Sequence, residues 1–183
     1  MRANSPPMLI TRDEPARSVA DLAGMTIRVA DATDIPFIDA LGAAPTTLPV
    51  SQVYQALSNG VVDGVMIDPA GIGSFKMHEA GNYITTDVPG GAGSFMVAMP
   101  NATYDRLTDD EKAAIDRVAA SDLSARAGAA DAEISQEGLA LAREAGLEII
   151  EMTPEERAGM MVAAVVAACA VAHAATRNAH VTV

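Results

Sequence analysis

Residues 25–42, which read MTIRVADATDIPFIDALG, decide the fold class of this chain. Residues 25–30 have the apolar, β-branched character of a short strand. Thr33 or Asp34 can then cap a helix that runs to Leu41 and ends at Gly42. A strand that leads directly into a helix is the repeating unit of an α/β domain, so this stretch predicts that class.

The same alternation continues along the rest of the chain. Ser51 is placed to cap one of the later helices, and Thr108 to Glu111 and Thr153 to Glu156 read as capping boxes. The turn around residues 89–93 is rich in glycine and leads into a strand. Further strands are predicted over 44–50, 61–67, 83–86, 95–99 and 147–151, and further helices over 52–58, 72–80 and 108–144, the last as one helix or a broken pair.

Length and composition exclude several classes of protein. The chain has 183 residues, is 50% apolar and carries a net charge of −12, which is enough apolar material for one sizeable core. Disorder and a membrane bundle are therefore excluded, and the acidity argues against a nucleic-acid partner. Cys169 is the sole cysteine and cannot close an intramolecular disulfide. The first ten residues show no export signal.

The C-terminal residues 160–183 differ in composition from the rest. Residues 160–175 consist of Ala, Val and Met with one His and one Cys, which is too short and too weakly apolar for a convincing membrane span. One interpretation is a buried helix. The other is that the coding frame has slipped, so that this tail is not native sequence.

Few residues offer enzyme chemistry. Gly71 and Gly73 lie between a strand and a helix, where a dinucleotide could bind, but Lys76 occupies the third glycine position and an ordinary turn is favoured. The three histidines have no ligand partners at metal-binding spacing, and the serines lack a nucleophile motif. We therefore expect no cofactor, no metal and no catalytic residues.

Arg28 is the one cation with an unusual position. It is flanked by Ile27 and Val29 within a strand, where a long charged side chain needs a partner. A guanidinium holds a carboxylate through two parallel hydrogen bonds, so the partner is either an acidic side chain of this protein or an organic acid. From the residues alone the structural ion pair is favoured.

The chain resembles, from about residue 6 to 160, the solute receptors of tripartite ATP-independent periplasmic (TRAP) transporters, of the C4-dicarboxylate-binding type. The resemblance rests on several blocks in the right order and spacing: 21–29 (DLAGMTIRV), 41–45 (LGAAP), 51–64 (SQVYQALSNGVVDG), 74–79 (SFKMHE), 82–83 (NY), 104–107 (YDRL), 111–115 (EKAAI) and 139–156. It implies a periplasmic-binding-protein-like lobe of the class II type, with crossing strands and a long helix. It also implies a periplasmic location and permease subunits as partners.

The resemblance makes ligand contact the favoured role of Arg28, because the family's arginine in this block pairs with the substrate carboxylate. It implies that the cleft is lined by Asp31, Ala32, Val50, Met66, Asp68 and Pro69. The family often carries Asn or Trp where this chain has Asp68 and Pro69. An aspartate beside an anionic ligand is unfavourable unless it meets a hydroxyl or an amine.

The resemblance also predicts the organisation of the chain. Residues 1–20 are expected to be a remnant of a first lobe and linker, 21–107 a ligand-binding lobe with crossing strands, 108–159 the long helix, last strand and capped helix, and 160–183 the tail. An incomplete two-lobed receptor is expected to bind weakly or not at all, because both lobes are needed to exclude water.

Two alternatives from other classes remain open. One is an acidic α/β module that binds a protein partner and has no transport activity, and the other is an enzyme with a nucleotide at Gly71 and Gly73. The carboxylate itself is left open among C4-dicarboxylates, keto acids, sugar acids and other carboxylates.

Overall fold

The computed structural model describes residues 2–89 and 93–179 of the chain. The strands are β1 (Arg2–Ala3), β2 (Met8–Thr11), β3 (Thr26–Val29), β4 (Ala44–Thr47), β5 (Gly64–Ile67), β6 (Tyr83–Thr86), β7 (Ser94–Phe95) and β8 (Glu148–Glu151). The helices are α1 (Ile35–Ala40), α2 (Val50–Ser58), α3 (Ala70–Ser74), α4 (Asn101–Tyr104), α5 (Asp109–Ala119), α6 (Leu123–Glu144) and α7 (Pro154–Ala179).

Six of these strands form one sheet in the order β4-β3-β5-β2-β6-β8. The pairs β3–β4, β3–β5 and β6–β8 are parallel, whereas β2 runs antiparallel to both of its neighbours. The other five strands therefore point in one direction, and their carboxyl ends lie at one edge of the sheet. The chain that precedes β2 enters the sheet at this same edge, because Met8 is opposite Ile67.

Helices cover both faces of the sheet, and the two interiors are distinct. On one face, α2, α3 and α6 pack over a core that includes Ile10, Val65 and Ile84. On the other face, α1 and the first turns of α7 pack over Ile27 and Val29. The result is a three-layer α/β/α arrangement, and it confirms the predicted α/β class.

The N-terminal segment is tied to the long helix α6. The backbone N–H of Ser5 donates to a carboxylate oxygen of Asp131 at 2.9 Å, and the Ser135 hydroxyl donates to the Ser5 hydroxyl at 3.0 Å. Asp131 and Ser135 are both buried. Just before Ser5, β1 pairs with β7 in a separate two-stranded ladder.

Several predicted elements are confirmed. The strands β3, β6 and β8 lie where the sequence places them, and both capping boxes form at Thr108 and Thr153. The long helical region is a broken pair, α5 and α6.

Other predictions are wrong in detail. The predicted helix 72–80 breaks at Lys76, whose φ of 55° is left-handed. The predicted strand 61–67 begins only at Gly64, and the predicted strand 95–99 is reduced to Ser94–Phe95. The strand β2 is not predicted at all, although it lies inside the sheet. Part of the predicted turn at 89–93, residues 90–92, lies outside the described residues.

The C-terminal region is helical, but the expected burial is wrong for most of its described side chains. Met160 is fully buried against the sheet, whereas Met161, Val162, Val165 and Val166 are exposed. Residues 180–183 of the predicted tail lie outside the described residues. Among the helices that the structure describes, none has the length and apolarity needed to cross a membrane.

Candidate ligand-binding site

The candidate site lies at the carboxyl edge of the parallel strands β4, β3 and β5. In open α/β sheets this edge is where ligands bind, because the loops that follow neighbouring strands converge there. The loop after β3 supplies Asp31 and Ala32, the loop after β4 supplies Leu48 and leads to Val50, and the loop after β5 supplies Asp68. The topology thus brings the three predicted segments together.

Arg28 lies within β3 and is only 4% exposed. Its side chain points to the face opposite that of Ile27 and Val29, which pack in the α1 and α7 core. The guanidinium Nε and Nη2 donate to the carbonyl oxygen of Leu48 at 3.0 and 2.8 Å. Its Nη1 donates to the carbonyl oxygen of Met66 at 3.4 Å. Neighbouring strand ends therefore fix the orientation of the guanidinium.

The Arg28 guanidinium has no acidic partner in the part of the chain that the structure describes. The structural ion pair favoured from the residues alone is therefore not found there. Burial lowers the pKa of the guanidinium, which nevertheless remains charged at neutral pH. Of its five N–H donors, the backbone carbonyls engage three, and two are left for another acceptor.

Asp31 and Ala32 form the exposed turn that follows β3. The Asp31 carboxylate accepts a hydrogen bond from the Thr33 backbone N–H at 2.8 Å, and this bond lowers the pKa of Asp31. Asp31 therefore caps the 3-10 turn before α1, whereas the sequence predicts Thr33 or Asp34 as the cap. Burial and the nearby Asp31 charge raise the pKa of Asp34.

Three further predicted residues differ in what they offer the site. Val50 begins α2 and is 39% exposed, so its side chain is accessible near the loop that holds Leu48. The Met66 side chain is buried in the core beneath α1 and α7, so only its carbonyl oxygen faces Arg28. Pro69 is buried, and its carbonyl oxygen lies against Gly138 of α6.

Asp68 is held in place by two neutral donors. Its Oδ2 accepts a hydrogen bond from the Asn4 side-chain amide at 2.8 Å. Its Oδ1 accepts one at 3.2 Å from the Gly71 backbone N–H, which also donates to the Asp68 backbone carbonyl oxygen at 3.0 Å. No pattern in the sequence points to Asn4, which is 64 residues away from Asp68 and has no motif of its own. The only available signal was its position just before an apolar run.

The glycines of the nucleotide alternative have a packing role instead. A Cβ at Gly71 would collide with the Ile67 side chain, and the Gly71 N–H is already donated to Asp68. A Cβ at Gly73 would make only an ordinary van der Waals contact with the Leu141 side chain. The helix that follows, α3, has five residues. This arrangement gives no support to a phosphate cradle.

A cavity of about 430 Å³ lies at the opposite edge of the sheet, near the starts of β3 and β5. Four carboxylates line it, from Asp13, Glu14, Asp21 and Asp63, so it would repel an organic acid. Within the described ranges, no cluster of three or more His, Cys, Asp or Glu residues could hold a metal ion. The edge that holds the Arg28 guanidinium is the better candidate for carboxylate binding.

Comparison with known proteins identifies the family of this chain. Residues 8–169 match the family described as bacterial extracellular solute-binding protein, family 7. The chain is 30% identical over 152 residues to the C4-dicarboxylate-binding periplasmic protein DctP of Rhodobacter capsulatus, covering 82% of this chain and 45% of that protein. It is 33% identical over 118 residues to a solute-binding protein of Roseobacter denitrificans, covering 62% and 35% of the two chains.

A solved structure shares the fold. It is a TRAP solute-binding protein from a marine metagenome, specific for aromatic acid ligands and in complex with metahydroxyphenylacetate. The TM-score is 0.84 at 30% identity, and the match covers 97% of this chain and 57% of that one.

The chain belongs to the family 7 bacterial extracellular solute-binding proteins, which are transport receptors. Its fold is that of TRAP solute-binding proteins, as the resemblance predicted. The chain spans about half the length of the curated relatives and structures it matches.

Proposed function

We propose that this chain forms the carboxylate-binding part of a periplasmic TRAP receptor, which binds an organic acid and delivers it to the membrane permease subunits. The observation that carries the proposal is the buried Arg28 guanidinium, which has no acidic partner in the described part of the chain. A buried charge without a counter-ion is costly, so a site that retains one favours a ligand that supplies the missing charge.

The hydrogen bonds of Arg28 support this role. Leu48 and Met66 accept from the guanidinium only through neutral carbonyl oxygens, so they orient the group without cancelling its charge. The two remaining N–H donors suit a carboxylate, which forms shorter and stronger hydrogen bonds to arginine than a neutral acceptor does. A lysine could not reproduce this planar geometry.

The relatives support the class of ligand. The name of the Rhodobacter protein gives C4-dicarboxylates, and the metagenome structure contains an aromatic acid. These ligands share a carboxylate and differ in the rest of the molecule. We assign the carboxylate to Arg28, the walls of the pocket to Asp31, Ala32 and Val50, and selectivity to Asp68 with Pro69. Met66 contributes through its carbonyl oxygen, which orients Arg28. No catalytic role is proposed for any of them.

A titration with a panel of monocarboxylates and dicarboxylates tests the proposal. Binding is followed by calorimetry and, for weak ligands, by amide chemical shifts at millimolar ligand. We expect Arg28→Ala and Arg28→Lys to abolish or strongly weaken binding. The matched control is Arg17→Ala, because Arg17 is an exposed arginine that pairs with Glu148 at the surface. Equal binding by wild type, Arg28→Ala and Arg17→Ala would contradict the proposal.

A second candidate function is docking of a protein partner, and a specific observation favours it. Residues 93–100 are all exposed, and among them Met96 is 69% exposed and Val97 fully so. Exposed apolar segments of this kind mark surfaces that bind other chains. Sedimentation across a range of concentrations tests this candidate. Association that Val97→Lys abolishes, together with no carboxylate binding, would favour it over the receptor.

A further inference from the structure

Asn4 and Asp68 form a contact between the N-terminal segment and the loop after β5. Asn4 is fixed from both sides, because its backbone N–H donates to the Gly93 carbonyl oxygen at 3.0 Å while its side-chain amide donates to Asp68 at 2.8 Å. With Gly71 holding the other oxygen, the Asp68 carboxylate cannot rotate freely. The carboxylate is therefore oriented before any ligand arrives.

The Asp68 carboxylate has acceptor capacity that the protein does not use. Across residues 2–89 and 93–179, no cationic side chain lies within ion-pairing distance of it. A carboxylate offers about four lone-pair directions, and the two donors from Asn4 and Gly71 occupy two. Asp68 is also only half-buried. It can accept a further hydrogen bond from a group outside the protein.

Asp68 lies close to the Arg28 end of the site along the strand direction. Met66, whose carbonyl oxygen accepts from Arg28, precedes Asp68 by two residues, or about 7 Å of extended chain. A fixed cation and a fixed anion thus share one edge of the sheet. An organic acid whose only polar group is its carboxylate would pair with Arg28 but would be repelled by Asp68.

We propose that Asn4 and Asp68 make a subsite that selects organic acids carrying a hydrogen-bond donor, a hydroxyl or an ammonium group, near the carboxylate. This inference rests on the proposed function, in which Arg28 binds that carboxylate. Asp68 accepts the donor, and Asn4 is a positioning residue that keeps the carboxylate aimed at it. The buried Asn4 Oδ1 has no hydrogen-bond partner among the described residues. A buried polar atom without a partner is destabilising, so the hydrogen bond from the Asn4 amide to Asp68 is formed in spite of this penalty.

Matched acids provide the probes. Succinate, malate and aspartate share one skeleton and differ in a hydrogen, a hydroxyl or an ammonium group, and so do phenylacetate, mandelate and phenylglycine. We expect the wild-type chain to bind at least one donor-bearing member of a set about tenfold more tightly than the parent acid, as a hydrogen bond to a charged acceptor allows. Comparison of the affinities for the hydroxy acid and the amino acid then shows which donor the site prefers.

Two variants separate this subsite from the binding of the carboxylate. Asp68→Asn removes the charge at nearly constant shape, and we expect the tenfold preference to fall to about threefold or less while the parent acid binds as well or better. Asn4→Ala leaves the carboxylate and its Gly71 contact in place, and we expect a smaller loss of preference. The control is Asp109→Asn, an exposed acid at the start of α5. A merely structural role would change all affinities together.

The outcomes distinguish the inference from the proposed function. If acids bind in an Arg28-dependent way but Asp68→Asn keeps the wild-type selectivity, the subsite is wrong and the receptor function stands. If Asp68→Asn loses the wild-type selectivity but Asn4→Ala retains it, the positioning role of Asn4 is wrong. If no acid shifts any amide signal at millimolar concentration, the proposed function fails and the subsite fails with it. Should Asp68→Asn lose its circular-dichroism melt, the wild-type comparison decides the matter, because a chain that binds no donor-bearing acid more tightly than its parent acid has no such subsite.

Discussion

Gly138 of α6 lies directly against the carbonyl oxygen of Pro69, so close that no side chain fits between them. A Cβ at position 138 would overlap this oxygen and also press on the Ile72 side chain. The contact lets the long helix brace the loop that carries Asp68. The stability of the site and that of the helix packing are therefore linked.

Gly138→Ala is expected to destabilise the protein. Alanine favours helix by about 1 kcal/mol over glycine, but overlap with a backbone oxygen that cannot rotate away costs about 1–3 kcal/mol or more. The cost of the overlap exceeds the gain in helix propensity, because α6 must move away from the loop to relieve it. Urea unfolding measures the difference in free energy. Gly128→Ala in the same helix is the control, since nothing lies within 4 Å of its Cβ, and it should stabilise. A more stable Gly138→Ala variant would contradict the packing.

Lys76→Gly is expected to stabilise the protein by about 1 kcal/mol. Lys76 adopts a φ of 55°, a left-handed conformation that strains a residue with a Cβ but not glycine. Its ion pair with Glu79 is exposed, so its loss costs little. Thermal unfolding checks the gain. Lys76→Ala serves as the control because it removes the same ion pair but keeps the strain, and an equal gain in both variants would show that backbone strain is not the cause.

Asp34→Asn is expected to stabilise the protein at neutral pH. Burial and the charge of Asp31 raise the folded-state pKa of Asp34 above 3.8, so the ionised form at pH 7 is disfavoured in the folded protein. A raised carboxyl pKa favours folding only as the pH falls through it, so the advantage of the variant should shrink towards pH 4. With solvent screening the gain is a few tenths of a kcal/mol.

Thermal melts at pH 7 and near pH 4 measure this pH dependence. The control is Asp39→Asn in α1, the helix that follows Asp34, because Asp39 is exposed and the change removes one negative charge equally. If both variants gain the same stability at both pH values, the lower net charge is responsible, and not the burial of Asp34 beside Asp31.

Asp131→Ala is expected to cost about 1–3 kcal/mol, because it removes the acceptor of the Ser5 backbone N–H in a buried position. Hydrogen exchange of the Ser5 amide reports the loss of this hydrogen bond, and urea unfolding measures the loss of stability. The control Glu133→Ala changes an exposed acid two residues further along α6. Unchanged protection of the Ser5 amide in Asp131→Ala would show that this contact does not hold the N-terminal segment.

The elements that were predicted well are those with local signals. The capping boxes at Thr108 and Thr153 need only four consecutive residues, and the left-handed glycine at Gly42 needs only itself. The strand β2 carries no such signal. Its residues are buried on both faces, so they show no alternation, and a run of four is too short to distinguish a strand from other buried chain.

The sequence by itself determined the α/β class, the acidic character and the family, because strand and helix periods, composition and ordered motif blocks are all local or additive properties. It also singled out Arg28, since a cation between Ile27 and Val29 is visible without a structure. Only the tertiary structure decided what surrounds that cation and what orients Asp68. Leu48 is 20 residues from Arg28 and Asn4 is 64 from Asp68, and these contacts exist because strand order, including the antiparallel β2, brings distant backbone to one edge. No local pattern encodes that order.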